Sequence, residues 1–464
     1  MKQYKPVIGL EIHVELKTKT GMFCQCRVNQ FDALPNTQVC PVCLGMPGAL
    51  PVPNRQAIEW TIKIGHALNC KINKHTKFDR KHYSYPDLPK GYQISQYDEP
   101  IAVKGHLDFE ANYGTNKNEK KSFRIHRVHL EEDTGKLTHQ GDDTLIDFNR
   151  SGTPLVEMVT EADFESSDDV KMFLEELHTI IRALDVSDAD MERGTMRMEP
   201  NISVREILNT KPETLNKPQI TNFKLPNYKV EVKNINSFNF VKRAIEFEIK
   251  RHIELLEKGE TPIQETRGWD SQHNRTYSQR TKEEAHDYRY FPEPDIPPFE
   301  FSDEYIESIK KTLPELPRAK MYRYIEVFKL RPMDAFNLSR DKELSAYFEE
   351  AMSKVKNQSS KIKVQSEKIG QEVANFIMNK KISIDLSVGE FADEAIELMN
   401  PVETDTNLLD TTITKLITAN PKVVADYRGG KQNSIMFFVG QVMREMKGKA
   451  DAKTVIEELK KELA

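Results

Sequence analysis

The sequence predicts an α+β protein: a mostly antiparallel sheet domain shaped as a cradle, then an all-helical domain, then a small helical tail. Three observations predict this. Alternation of apolar and polar residues dominates positions 1–290. The segment Phe291–Phe299 (FPEPDIPPF) then interrupts it, because proline lacks a backbone donor and resists both helix and central strand. Beyond it, Leu344, Phe348, Ala351 and Val355 recur at the spacings of three and four that put them on one helix face. A second break near Asn400–Asp410 (NPVETDTNLLD) sets off a tail that ends in the helical pattern Val455–Leu463. The expected domains are therefore 1–295, 296–405 and 406–464.

A chain of 464 residues accommodates two to four domains and a substantial core. The composition, 38% hydrophobic and 30% charged, is that of a polar-surfaced globular protein. A net charge of −5 argues against a general nucleic-acid coat protein but leaves room for a local basic patch. No apolar run reaches the length of a membrane span. The strand pattern begins at Val7, which leaves no room for a leader peptide. A cytoplasmic protein is expected.

Four segments read as strands with one apolar and one charged face. Successive side chains of a strand point to opposite sides. In Val7–Leu16 (VIGLEIHVEL), Leu10, Ile12, Val14 and Leu16 oppose Glu11, His13 and Glu15. In Tyr228–Lys233, the face opposite Tyr228, Val230 and Val232 carries Lys229, Glu231 and Lys233. Thr195–Arg205 sets Arg197, Glu199, Asn201, Ser203 and Arg205 against Met196, Met198, Ile202 and Val204. Phe123–Leu130 runs into Glu131-Glu132-Asp133. A solvated sheet face accounts for any one of these strands. Four of them, rich in Glu, His and Arg, suggest a shared surface. Adjacent carboxylates repel unless a cation lies between them, and oxygen ligands with a histidine suit Mg²⁺ or Mn²⁺.

Cys24 and Cys26, followed by Cys40 and Cys43, supply four thiolates, enough for a closed tetrahedral Zn²⁺ site. Such a site is structural, because four protein ligands leave no open position for substrate. Four reduced cysteines near a loop are the plainer alternative. Cys70 reads as a small buried hydrophobe.

One block is more specific than any pattern: Lys77–Pro100, KFDRKHYSYPDLPKGYQISQYDEP. VIGLEIHVEL, Pro47–Pro51, His129–Lys136 (HLEEDTGK), Asp147–Val156 (DFNRSGTPLV), Val232–Ser237 (VKNINS), Gln264–Arg267 and Asp287–Asp295 join it. So does the tail around DYRGGK and FFVGQVMREMKGKA. With these blocks the chain closely resembles the B subunits of aspartyl/glutamyl-tRNA amidotransferases over nearly its whole length. The resemblance implies a ligase subunit. ATP phosphorylates the side-chain carboxylate of misacylated Glu-tRNA(Gln) or Asp-tRNA(Asn), and ammonia from a partner amidase displaces the phosphate. It implies an amidase A subunit and a small C subunit as partners, and Mg²⁺ with ATP in the cradle. The matching catalytic and metal positions are Glu11, His13, Glu131, Glu132 and Glu231. Arg80, Lys81, Tyr85, Lys90, Arg197 and Glu199 stand as substrate-side residues. Around Glu199 the chain reads Met198-Glu199-Pro200, where the family commonly has Cys-Asp-Ala.

The chain has no GxxxxGK[ST] loop and no GxSxG elbow. Nor does a cysteine sit beside the N-terminus to act as a glutaminase nucleophile, so ammonia is expected from another chain. In the tail, Lys431, Arg444, Lys447 and Lys449 are candidates for tRNA phosphate contacts. Gly429-Gly430 is expected to break two helices. Two other readings compete: a tRNA-binding scaffold without chemistry, and a metal-dependent hydrolase that needs no tRNA.

Overall fold

The computed structural model describes residues 3–111, 113, 118–207, 225–281, 288–358, 365–400, 406–446 and 450–463. The chain forms two compact units, Met1–Lys320 and Met321–Ala464.

The first unit holds sixteen strands among the described residues. In chain order they are β1 (Gln3–Glu15), β2 (Lys71–Ile72), β3 (His75–Thr76), β4 (Asp79–His82), β5 (Tyr92–Ser95), β6 (Ala102–Ala111), β7 (Glu119–Glu132) and β8 (Lys136–Gln140). Then come β9 (Asp143–Asp147), β10 (Pro154–Thr160), β11 (Met196–Ile207), β12 (Val230–Lys233), β13 (Glu265–Asp270), β14 (Arg275–Thr281), β15 (Phe291–Pro292) and β16 (Phe299–Glu300). Nine of them make one sheet in the order β14-β13-β12-β11-β1-β10-β7-β6-β2. Its pairings are antiparallel except β12 with β13. The predicted alternation holds: Ile8, Leu10, Ile12 and Val14 are buried, as are Met196, Met198, Val230 and Val232.

Helices α1 (Arg55–Ala67), α2 (Ser167–Leu184) and α3 (Phe238–Glu257) contribute to the core built on the apolar face. Each starts at a side-chain cap. Asn54 accepts from the Ala57 N–H, Ser166 from Asp169 and Ser237 from Phe240, which satisfies donors the first turn leaves open. The α2 end turns at Asp185 in the left-handed region (φ 61°).

The first unit extends past the proline-rich segment expected to end it at 295. β16 pairs with β3, and Phe301 just after it and Ile309 of the following helix α4 (Asp303–Lys310) pack into the same core. Prolines there interrupt the pattern without ending the core. The second unit is helical, from α5 (Pro317–Phe328), which straddles the division, through α6 (Pro332–Arg340), α7 (Lys342–Asn357), α8 (Ser366–Met378), α9 (Val388–Met399), α10 (Thr406–Ala419), α11 (Pro421–Arg428) and α12 (Ile435–Glu445) to α13 (Ala452–Leu463). Phe348, Ala351 and Val355 are the buried stripe of α7, as their spacing predicts. Residues from Leu409 to Leu463 form a core of their own. Part of the expected break at 400–410 lies outside the described residues. No described helix is long and apolar enough to cross a membrane.

Candidate active site

β1 runs through the middle of the sheet, between β10 and β11. Its polar side chains meet those directly opposite on both neighbours, because paired residues share a face. Glu11 pairs with Glu199, and His13 with both Arg197 and Glu157. One strand further on each side, Glu157 pairs with His129 and Asn201 with Glu231. Register alone therefore assembles two acidic groups on one face.

The first group is His13, Glu131 and Glu157, with ligand atoms within 4.8 Å of one another. His13 Nε2 is 3.3 Å from Glu157 and 3.9 Å from Glu131; His129 Nε2 repeats both distances. Ser95 donates its hydroxyl to Glu131 at 2.9 Å. Burial disfavours a charged His13, but the Glu157 carboxylate outweighs it and raises the imidazole to about 9. Burial likewise disfavours charge on Glu157, yet His129 and His13 hold it well below the usual carboxylate range. The ring proton thus neutralises a buried acid, as a divalent cation would.

The second group is Glu11, Glu199 and Glu231, also within 4.8 Å. Lys233 lies 2.9 Å from Glu199 and 3.5 Å from Glu231, and Thr266 donates to Glu231 at 2.9 Å. Asn201 Nδ2 donates to Glu11 at 3.0 Å, while its Oδ1 is buried without a partner. Burial, then Glu157, Glu231 and Glu199, push the Glu11 carboxyl up. Three crowded carboxylates and an unsatisfied amide oxygen fit an oxygen-loving cation such as Mg²⁺. A cavity of about 340 Å³ opens beside Glu11, lined by Gly9, Asn201, Ser203 and Tyr228.

Four of the five expected catalytic residues, Glu11, His13, Glu131 and Glu231, share this face. The fifth does not. Glu132 follows Glu131 on a strand and so points to the other side of β7. There it accepts from the Ile94 N–H at 3.0 Å and pairs with Lys90 at 2.7 Å. The doublet that looked like one metal-binding pair serves two environments, and Lys90 is occupied by Glu132. Arg80 likewise makes a two-pronged bond to Glu293, at 2.6 and 2.8 Å, and reaches Asp295. Arg197 is bound to Asp133 at 2.7 Å. Each of these three cations, expected on the substrate side, is paired with a carboxylate of the protein. Lys81 is different: its ammonium lies 5.1 Å from the Tyr288 ring centroid, close enough to Glu131 and Glu157 to be held in its charged form. Tyr85 is 55% exposed.

Glu199 belongs to the second group despite the local departure in sequence. Sequence reasoning missed Glu157 and His129. The signal for Glu157 was there: a lone acid inside the apolar strand Pro154–Thr160 (PLVEMVT). Glu15, left out of the expected site, sits at the end of the same face. Burial and the neighbouring Asp133 carry its carboxyl up to about 8.

Cys24, Cys26, Cys40 and Cys43 converge with sulfurs within 4.8 Å and could hold a metal ion. The Cys40 N–H donates to the Cys43 sulfur at 3.1 Å. The Cys24 hydrogen bond lowers the Cys43 thiol to about 5, toward the thiolate a metal requires. Gly21 permits the close approach: a Cβ there would stand 3.0 Å from the Cys24 sulfur and 3.1 Å from the Gly152 carbonyl. Cys70 is buried, as expected.

In the tail, Lys431 pairs with Asp426 at 3.0 Å and Arg444 is exposed. Lys447 and Lys449 lie outside the described residues. Gly429 and Gly430 do end α11, the latter with φ 98°.

Residues 6–307 match the GatB/GatE catalytic domain, and residues 342–463 match the GatB domain. The chain belongs to the GatB family. Curated relatives, each named as the B subunit of an aspartyl/glutamyl-tRNA(Asn/Gln) amidotransferase, agree along the full length. That of Thermotoga sp. (strain RQ2) is 44% identical over 97% of both chains. Those of Persephonella marina and Carboxydothermus hydrogenoformans are 42% and 41% identical over 98% and 100% of both. GatB is one subunit of a tRNA-dependent amidotransferase, a ligase that takes its amido nitrogen from glutamine. Family membership implies ATP use and work alongside other subunits and tRNA. Both GatB matches cover the elements described: the first takes in the strands of the sheet, the second the helices from α7 onward.

Proposed function

We propose that the polar face of β1, β7, β10, β11 and β12 activates the side-chain carboxylate of glutamate or aspartate on a misacylated tRNA. A carboxylate is a poor acyl donor because oxide leaves badly. Its oxygen attacks the γ-phosphorus of ATP and ADP departs with the bridging electron pair. Ammonia, released by a partner amidase subunit, then attacks the acyl carbon. Inorganic phosphate leaves, the nitrogen loses a proton, and Gln-tRNA(Gln) or Asn-tRNA(Asn) results. A small third subunit is expected to complete the complex.

The observation that carries this reading is the pair of acidic groups meeting across β1. Phosphoryl transfer needs positioning and charge neutralisation more than a protein nucleophile. Mg²⁺ held by Glu11, Glu199 and Glu231, and by His13, Glu131 and Glu157, would neutralise phosphate charge. The remaining work falls to the protein. Lys233 and Thr266 fix the Glu199 and Glu231 oxygens, Ser95 orients Glu131, and Asn201 turns Glu11 inward. Half-buried Lys81 offers a cation on the Glu131 side. The cysteine group, with bound Zn²⁺, would pin the loop between Gly21 and Pro51 as a structural element.

The test uses the reconstituted complex with free ammonium as nitrogen donor, so glutaminase chemistry is bypassed. Glu231→Ala and Glu131→Ala should each lower ATP-dependent amidation of misacylated tRNA by at least roughly a hundredfold. Amidation at the wild-type rate would leave this chain a scaffold.

A further inference from the structure

The small sheet β15-β4-β5 and its flanks carry tyrosines beside the acidic face. Tyr97 and Tyr290 stack with ring centroids 4.3 Å apart and planes 14° from parallel. Tyr288 meets Tyr290 at 6.3 Å, and Tyr83 meets Tyr288 at 5.7 Å, both edge-on. Tyr290 backs one face of the Tyr97 ring, yet Tyr97 remains 51% exposed. Its backbone is fixed on both sides. The Tyr97 N–H donates to the buried Asp79 carboxylate at 2.9 Å, and its carbonyl accepts from Arg127 at 3.4 Å. Lys81 lies 5.1 Å from the Tyr288 ring centroid. Ser95, two residues before Tyr97, donates its hydroxyl to Glu131 at 2.9 Å, so the tyrosines adjoin the His13 group.

Phosphoryl transfer itself has no use for an exposed, rigidly backed aromatic ring. Unpaired nucleobases do: they stack on such rings while cations alongside take the phosphate backbone. We propose that the open face of Tyr97, backed by Tyr290, stacks the adenine of the 3′-terminal adenosine of the aminoacyl-tRNA. The esterified amino acid then reaches Glu131 and Glu157, and Lys81 and Arg127 lie nearby for the backbone. This rests on the reading of the acidic face as the transamidation site. Adenine has two sources in that reaction, tRNA and ATP. The flanking cations favour the tRNA end, and the cavity beside Glu11 is a separate opening for the nucleotide.

The experiment compares wild type, Tyr97→Ala and Tyr97→Phe in the reconstituted complex. Tyr97→Ala should raise KM for misacylated tRNA roughly ten- to a hundredfold and leave KM for ATP unchanged. Tyr97→Phe, which keeps the ring, should stay near wild type. A second arm measures binding of uncharged tRNA with and without its terminal adenosine. Wild type should bind the truncated tRNA more weakly; Tyr97→Ala should bind the two alike. A rise in KM for ATP alone would assign the ring to the nucleotide and overturn the proposal. So would unchanged KM values with discrimination retained. Failure of the underlying reading shows differently, as a wild-type complex that does not amidate, and the binding arm still decides the role of Tyr97.

Discussion

Glu157 explains most about the His13 group, and it was the least visible in the sequence. A single acid between apolar neighbours raises no period-2 signal of its own. Only the β1–β10–β7 register shows it touching both His13 and His129. Glu132 errs the other way: a conspicuous doublet in sequence, split by alternation to the two sides of one strand. Glu157→Gln should lower transamidation roughly ten- to a hundredfold, the usual effect of removing a group that orients a ligand. In the metal-free protein the same change should return His13 from about 9 toward an ordinary imidazole range, read by NMR titration of the ring. A second buried acid acts on stability alone. Glu248, fully buried on α3, meets Arg251 at 2.7 Å, His252 at 3.0 Å and Arg267 at 3.3 Å, and also binds the Thr276 hydroxyl. Burial opposes its charge, but these partners bring the carboxyl down to about 2 from an ordinary 4.5. A depressed carboxyl favours the folded state above its unfolded value, and that favour is lost as pH falls from about 4.5 through about 2. The full difference corresponds to about 3 kcal/mol. Glu248→Gln should therefore flatten the acid limb of stability between those values and lower the melting temperature at neutral pH. An unchanged acid limb would dismiss the network.

At the scale of elements, alternation made the strands legible and left their neighbours hidden. All four charged strands formed; the three whose faces were predicted keep them inward, while β7 shifts face at a bulge near His126. Which strand lies beside which depends on contacts between distant segments, and no local pattern encodes that. The β11–β12 ladder illustrates a constraint visible only after pairing. It joins Asn201 to Glu231 and Ile202 to Val230, and the next position is Pro200, which has no N–H to continue it. Lys233, just beyond, reaches Glu199 through its side chain instead. The cysteine loop was legible from spacing alone. Cys40→Ser should remove stoichiometric zinc from the purified protein and lower its melting temperature by several degrees. Equal, near-zero zinc in both proteins would reduce the cluster to four free thiols.

For the molecule as a whole, the order of sheet unit before helices was evident from the change in periodicity. The division was not, because the prolines at 291–298 punctuate the backbone while Phe301 and Ile309 still belong to the first core. Packing decides a boundary, and punctuation only suggests one. The tail residues from Leu409 onward share a closed core, so they can be removed together. Deleting residues 406–464 should weaken tRNA binding and reduce its salt dependence, with little change in KM for ATP. Unchanged tRNA affinity would remove the tail from the binding surface.

The central place of β1 has a consequence for how the chain acquires its site. Glu11 and His13 are made early, but β10 and β11 flank them only once residue 207 has been added. At 5–20 residues per second, that is a wait of roughly 10–40 s on the ribosome. Until β10 is made both edges of this half-apolar strand are unpaired, and one edge stays so until β11 follows, so β1 must be kept from other partners. Nascent chains stalled before β11 should therefore bind holdase chaperones through β1, and release from them should follow its completion.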